Sequence, residues 1–189
     1  MTLLELVAKN KADVLARWNQ LVLETYPKET ARLWKSNKDQ FTNPVGATFR
    51  EALDKLIDGM LAWENAQDIC AHLEDIVKIR AVQDFTPGKA LSFVFLFKKA
   101  VREALGSQIR KENLGEDLVT LDGRVDNMAL MAFDIYTKAR EHVYSMRVQE
   151  YKRTHHMLFR KAGLVCEEPS MDKGLTPIVP EGPVQDKER

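Results

Sequence analysis

Apolar residues recur along most of this chain three and four residues apart, the helical spacing, and polar punctuation separates the runs. Leu4, Val7, Leu15, Trp18 and Val22 lie near a 3.6-residue period, and Thr2 and Glu5 have capping-box spacing, so one amphipathic helix is expected up to Pro27. A short segment, Lys28 to Trp34, leads into the turn-rich Ser36-Asn37-Lys38-Asp39. Asn43-Pro44 combines a capping side chain with a residue whose missing N–H is not needed at the first helical position; it opens a helix to about Trp63. Asn65 to Asp68 opens another, whose inner face is Ile69, Leu73, Ile76, Val77 and Ile79, up to Arg80. Thr86-Pro87 repeats the cap-plus-proline pattern before Leu91, Phe93, Val94, Leu96, Phe97, Val101 and Leu105. That helix is apolar on nearly all sides at its start, which marks a central position, and Asn113 to Gly115 ends it. No stretch reads as a strand, because Val and Ile keep helical spacing and no hairpin dipeptide divides alternating runs.

From about Leu118 to Ala162 there is no proline, and a final helix of roughly 40 residues, about 60 Å, is expected. Its first half carries Val125, Met128, Ala129, Ala132, Ile135, Tyr136, Ala139, Val143 and Met146 for packing on the domain or a partner helix. Beyond Met146 the same stripe falls on Gln149, Arg153 and His156, against a long dry coiled coil. Gly163 suits a helix C-cap, and the proline-containing remainder reads as a flexible tail. The expected organisation is a domain over 1–146, a basic helical extension over 147–163 and a disordered tail over 164–189.

Twenty-eight basic residues against 28 acidic ones leave no whole-molecule field to attract nucleic acid or an anionic bilayer, so any such contact is local. The N-terminus lacks a signal-peptide pattern, and the apolar cluster Ala90 to Phe97 is far short of the roughly 20 residues of a membrane span, so a cytoplasmic location is expected. Cys70 and Cys166 supply neither a disulfide framework nor a metal spacing. Charge is asymmetric towards the C-terminus: between Lys138 and Ala162 seven basic residues face two acidic ones, and six acidic residues face three basic ones thereafter. Two readings of the basic stretch stand. It is a solvated helix face, or it docks to an acidic protein surface or anionic headgroups through Arg147, Lys152, Arg153 and Arg160, with Tyr144, Tyr151, Leu158 and Phe159 as apolar contacts. No helix-turn-helix or basic-region pattern accompanies it, so nucleic acid is not an expected partner.

Two segments carry more than periodicity: Lys38-Asp39-Gln40-Phe41-Thr42-Asn43-Pro44-Val45-Gly46, and Ile79-Arg80-Ala81-Val82-Gln83-Asp84-Phe85-Thr86-Pro87 running into Phe93-Val94-Phe95-Leu96-Phe97-Lys98. With Trp18 and Tyr26-Pro27 they resemble the N-terminal domain of RsbRD-type RsbT co-antagonist proteins, over roughly residues 1 to 145. The resemblance implies an all-helical, globin-like sensor domain without haem, joined through its last helix to a STAS domain that a partner kinase phosphorylates. The chain after the long helix is shorter than the about 100 residues a STAS domain needs, so the phosphoacceptor role and stressosome assembly are not carried over.

Asp84-Phe85-Thr86-Pro87 supports two readings. In one, Thr86 caps the following helix, Phe85 staples its start, and Arg80 or Gln83 satisfies nearby carbonyls. In the other, Arg80, Gln83 and the free N–H groups of that helix start hold a small anion or ligand. Phe49, Trp63, Phe93, Phe95 and Phe97 are either packed core or the wall of a cavity for a small apolar ligand such as a fatty acid. His72, a conceivable haem ligand, lies beside Glu74 and Asp75 on a polar stretch; Cys70 and His72 face apart on a helix, as do His155 and His156, so no cofactor or metal is expected. No phosphate-binding loop, nucleophile elbow or metalloprotease motif is present. The expectation is a non-enzymatic regulatory or sensor domain of bacterial signalling. It would bind a ligand or protein partner and relay the change through the long helix, as a homodimer meeting at Ile135 and Ala139. The alternative is a constitutive adaptor docking through the basic helix, followed by a lipid or haem carrier.

Overall fold

The computed structural model describes residues 1–36, 43–83 and 85–163; the expectations for most of the Ser36–Asp39 turn, for Asp84 and for the tail from 164 lie outside them. Among the described residues the chain is all-α, with seven helices and no strand: α1 (Leu3–Lys9), α2 (Lys11–Leu23), α3 (Lys28–Ser36), α4 (Pro44–Ala62), α5 (Ala66–Val82), α6 (Pro87–Lys111) and the long C-terminal α7 (Asp117–Lys161). Two compact units divide the chain, Met1–Met146 and Arg147–Arg189.

The single helix expected up to Pro27 is two. Asn10 leaves helical geometry at φ −111° and ψ 28°, and its side-chain amide donates to Leu6 O at 2.8 Å. An asparagine that bonds the backbone itself competes with the helical ladder, which breaks α1 from α2. The start of α1 has the full capping box between Thr2 and Glu5, and Asp117 at the start of α7 accepts from Leu3 N–H at 2.8 Å. At α4 the Asn43 side chain accepts from Gly46 N–H at 3.0 Å, as the Asn43-Pro44 pair predicts. Thr86 differs. It occupies the N-cap of α6 without a side-chain hydrogen bond, so proline alone supplies the local start signal there.

α6 ends at a Schellman motif: Asn113 N–H bonds Arg110 O, and Leu114 N–H reaches back to Ile109 O at 3.0 Å. Asn113 takes the left-handed φ of 56° that this geometry requires, and Ile109 and Leu114, the two apolar positions of the motif, are both buried.

The core of Met1–Met146 is built around α6, whose Ala90, Phe93, Val94, Phe97, Ala100 and Val101 are all buried. α2 packs on it through Trp18, which donates from Nε1 to Phe93 O at 2.7 Å and meets Phe97 edge-on at 4.8 Å. The stripe Leu121, Val125, Met128, Ala132, Tyr136 and Val143 of α7 is buried in the same unit, so most of it is used within the chain. Cross-helix ion pairs fix the register of the outer faces: Lys11 of α2 lies 2.7 Å from both Asp54 and Asp58 of α4, and Arg17 lies 2.6 Å from Glu103 of α6. Burial pulls the Lys11 ammonium down, and hydrogen bonds to the two carboxylates override it, so the group ends above its ordinary value. No helix among the described residues is long and apolar enough to cross a membrane.

Candidate functional site

Arg80 lies on the inner stripe of α5, one turn beyond Ile76 and Val77, and its side chain is 0% exposed. Only Asn43 accompanies it among described polar residues of that burial, and Asn43 is explained as a cap. Both donors of Arg80 Nη2 are used: one to Thr25 Oγ1 and one to Lys89 O, each at 3.0 Å. The remaining three of the five guanidinium N–H groups, on Nε and Nη1, have no hydrogen-bond partner. No carboxylate pairs with it among the described residues; aromatic rings surround it instead. Its guanidinium carbon lies 4.9 Å from the Phe85 ring centre, 5.1 Å from Tyr26 and 5.8 Å from Phe93.

Tyr26 organises the cage, with its ring centre 4.8 Å from Trp34, 5.2 Å from Phe85 and 6.1 Å from Phe49. Its hydroxyl is buried without a partner, as is Gln83 Oε1 at the end of α5. Burial pushes the Tyr26 phenol up to about 12, against the opposing pull of the Arg80 charge. Burial likewise lowers the Arg80 guanidinium, but from a starting value so high that it stays a cation. The cage thus holds a positive charge that two neutral acceptors and three rings contact and that no carboxylate among the described residues neutralises, an arrangement that favours an incoming anion.

This centre is tied to α7. Tyr136 Oη donates to Phe85 O at 3.3 Å, and Arg140 Nη1 donates to Ala81 O at 2.9 Å. Both ends of the connection between α5 and α6 are therefore held by the long helix. Over it lies a groove of about 480 Å³ lined by Phe85, Thr86, Pro87, Phe133, Tyr136, Thr137, Arg140, Glu141 and Tyr144.

The structure divides the residues that the sequence grouped together. Arg80, Phe49 and Phe93 belong to the cage region, Gln83 ends α5 with its Oε1 buried and unpartnered, and Phe97 packs against Trp18 in the adjoining core. Trp63 is elsewhere: it terminates α4 at φ 52°, beneath Arg124, which donates to Met60 O and Leu61 O. Ile135 and Ala139 are half-buried and line a second groove of about 400 Å³ with Ala81, Val82, Val143 and Met146. Arg147, Lys152, Arg153 and Arg160 are exposed on the Arg147–Arg189 unit. Tyr26, Trp34 and Phe85 were missed as site residues. Their one sequence signal was Arg80 itself, a cation at an apolar position of a helical period.

The fold and site define an all-helical domain enclosing a cation that pairs with no carboxylate among the described residues, with a long terminal helix bonded to the wall of that enclosure. Residues 12–151 match the family model of the RsbT co-antagonist protein rsbRD N-terminal domain, and the chain belongs to that family. The resemblance read from Trp18, Tyr26-Pro27 and the two longer segments is thereby confirmed, and it gives the chain a regulatory role in stress signalling. No curated protein and no solved structure matches it.

Proposed function

We propose that this chain is a non-enzymatic sensor domain that takes a small anionic group at Arg80 and transmits its presence through α7. The observation that supports this reading is the fully buried guanidinium with three unpaired N–H groups. Burying such a group with no counterion among the described residues is unfavourable, and a carboxylate or comparable anion would supply the missing acceptors and charge. The bonds from Tyr136 and Arg140 to the Phe85 and Ala81 carbonyls give the output route, since a shift of the cage wall alters what α7 is fastened to. A ligand shifts such an equilibrium only by its differential affinity for the two arrangements.

The test compares the full chain with Arg80→Met in a buffer whose only added anion is formate, acetate, chloride or phosphate, at matched ionic strength. At least one anion should raise the melting temperature of the wild type in a concentration-dependent way and leave Arg80→Met unmoved. Amide exchange at 81–85 and 136–140 should slow with the same dependence. Equal response of both proteins, or of neither, would overturn the reading.

A further inference from the structure

Phe85 is shared between the Arg80 enclosure and the groove above it. Its ring centre lies 4.9 Å from the Arg80 guanidinium carbon, and the same residue lines the groove of about 480 Å³ between the start of α6 and α7. Among the described residues, none of the other groups that contact the guanidinium lines that groove. The backbone of Phe85 is pinned at both of its polar groups: the N–H donates to Gln83 O at 2.7 Å, and the carbonyl accepts from Tyr136 Oη at 3.3 Å. The half-buried ring is therefore the part free to move, by rotation about χ1, with the connection between α5 and α6 left in place.

Two observations choose the occupant. The guanidinium is 0% exposed and keeps three unpartnered N–H groups, so an anion that satisfies it has to pass between the rings. A small molecule does that, whereas a protein helix or a membrane surface stays outside. The groove itself is aromatic, with ring faces from Phe85, Phe133, Tyr136 and Tyr144, of which Phe133 and Tyr144 are each 52% exposed. Its volume is that of a small-ligand site. Arg140 on its wall is already committed to Ala81 O at 2.9 Å and to the Tyr144 hydroxyl at 2.7 Å, and the Glu141 carboxylate there repels a second anionic group. A ligand suited to both places carries one negative charge at one end and a flat, neutral body that stacks on ring faces.

Building on the Arg80 site proposed above, we infer that its ligand is a small aromatic monocarboxylate. The carboxylate pairs with Arg80, the ligand ring lies among the aromatic side chains of the groove, and the Phe85 ring turns aside as the gate between the two.

Isothermal titration calorimetry of the full chain, at matched ionic strength, compares phenylacetate with acetate, cyclohexylacetate, octanoate and benzyl alcohol. Phenylacetate should bind about tenfold more tightly than any of the other three anions, and benzyl alcohol, which keeps the ring without the charge, should not bind. Arg80→Met should abolish the phenylacetate signal, and Phe133→Ser should raise its Kd about fivefold or more. Near-UV circular dichroism of the three tryptophans checks the fold of each variant; Phe133 is exposed enough that its replacement tests the groove whether or not Arg80→Met folds. Acetate and phenylacetate binding equally, both through Arg80, would overturn the aromatic class and leave the Arg80 site standing. Phenylacetate binding that survives Arg80→Met, octanoate or cyclohexylacetate binding as tightly as phenylacetate, or no effect of Phe133→Ser would also overturn it. No binding of any anion would overturn the ligand class and the Arg80 site together.

Discussion

Replacing Arg80 with methionine keeps an unbranched apolar stem and removes the charged guanidinium, and the sign of the stability change reports whether the enclosed cation is satisfied. Two hydrogen bonds from a charged donor are lost, worth about 1.5–3 kcal/mol each. Neither acceptor is orphaned, however: the Lys89 carbonyl keeps the Ser92 hydroxyl at 2.8 Å, and the Thr25 hydroxyl keeps its bond to Val22 O at 2.7 Å. Against that loss stand three unpaired donors at about 1–3 kcal/mol each, together with the desolvation of a cation that has no counterion among the described residues. The two sides nearly cancel, and the uncompensated charge tips the balance, so Arg80→Met is expected to stabilise the anion-free protein by about 1–3 kcal/mol. Its melting temperature should rise by about 2–4 °C per kcal/mol for a chain of this size. Urea denaturation followed by circular dichroism, in a buffer of bulky organic anions, measures it directly. A loss of more than about 2 kcal/mol would refute the reasoning, because the ring faces and two acceptors would then satisfy the guanidinium by themselves.

Three further outcomes follow from individual residues. Tyr26 has its folded pKa raised to about 12 from 10, so its stabilisation is fully present below pH 10 and is lost as pH rises through 12. Tyr26→Phe should match the wild type at pH 7 and retain up to about 3 kcal/mol more of its stability above pH 12, measured by urea titrations across that range. Asn43→Ala removes the side-chain bond to Gly46 N–H and should lower stability by about 1 kcal/mol in the same assay. At Asn113, with φ of 56°, valine should cost about 1–2 kcal/mol and glycine less than about 0.5; equal losses would remove the backbone from the explanation.

Most helices were legible because their signals are local. Asn43-Pro44 and Thr86-Pro87 mark helix starts through a cap and a missing donor, and both fall at the observed boundaries. The break at Asn10 was missed because hydrophobic spacing continues across it, and its signs are the non-helical φ and ψ of Asn10 and a side chain that shares Leu6 O with the Asn10 N–H. Thr86 shows the opposite error: a residue type suited to capping stands at the cap without making the bond.

The site divides along the same line. Arg80 and Gln83 stood out from residue types at helical spacing, and Phe49 and Phe93 from an excess of aromatic residues. Tyr26, Trp34 and Phe85 come from separate parts of the chain, and no short-range pattern records that their rings converge. Trp63 was grouped with them on chemistry alone, yet the left-handed end of α4 sets it beneath Arg124. What the sequence determined by itself is the all-helical class, the proline-marked helix starts, the central place of α6 and the family, since each depends on spacing within a few turns or on ordered motifs. Only the tertiary structure decided that a cation would be enclosed among aromatic rings, with no carboxylate partner among the described residues, and that α7 would bond the wall of its enclosure. Both depend on which residues distant in the chain meet once the core has closed.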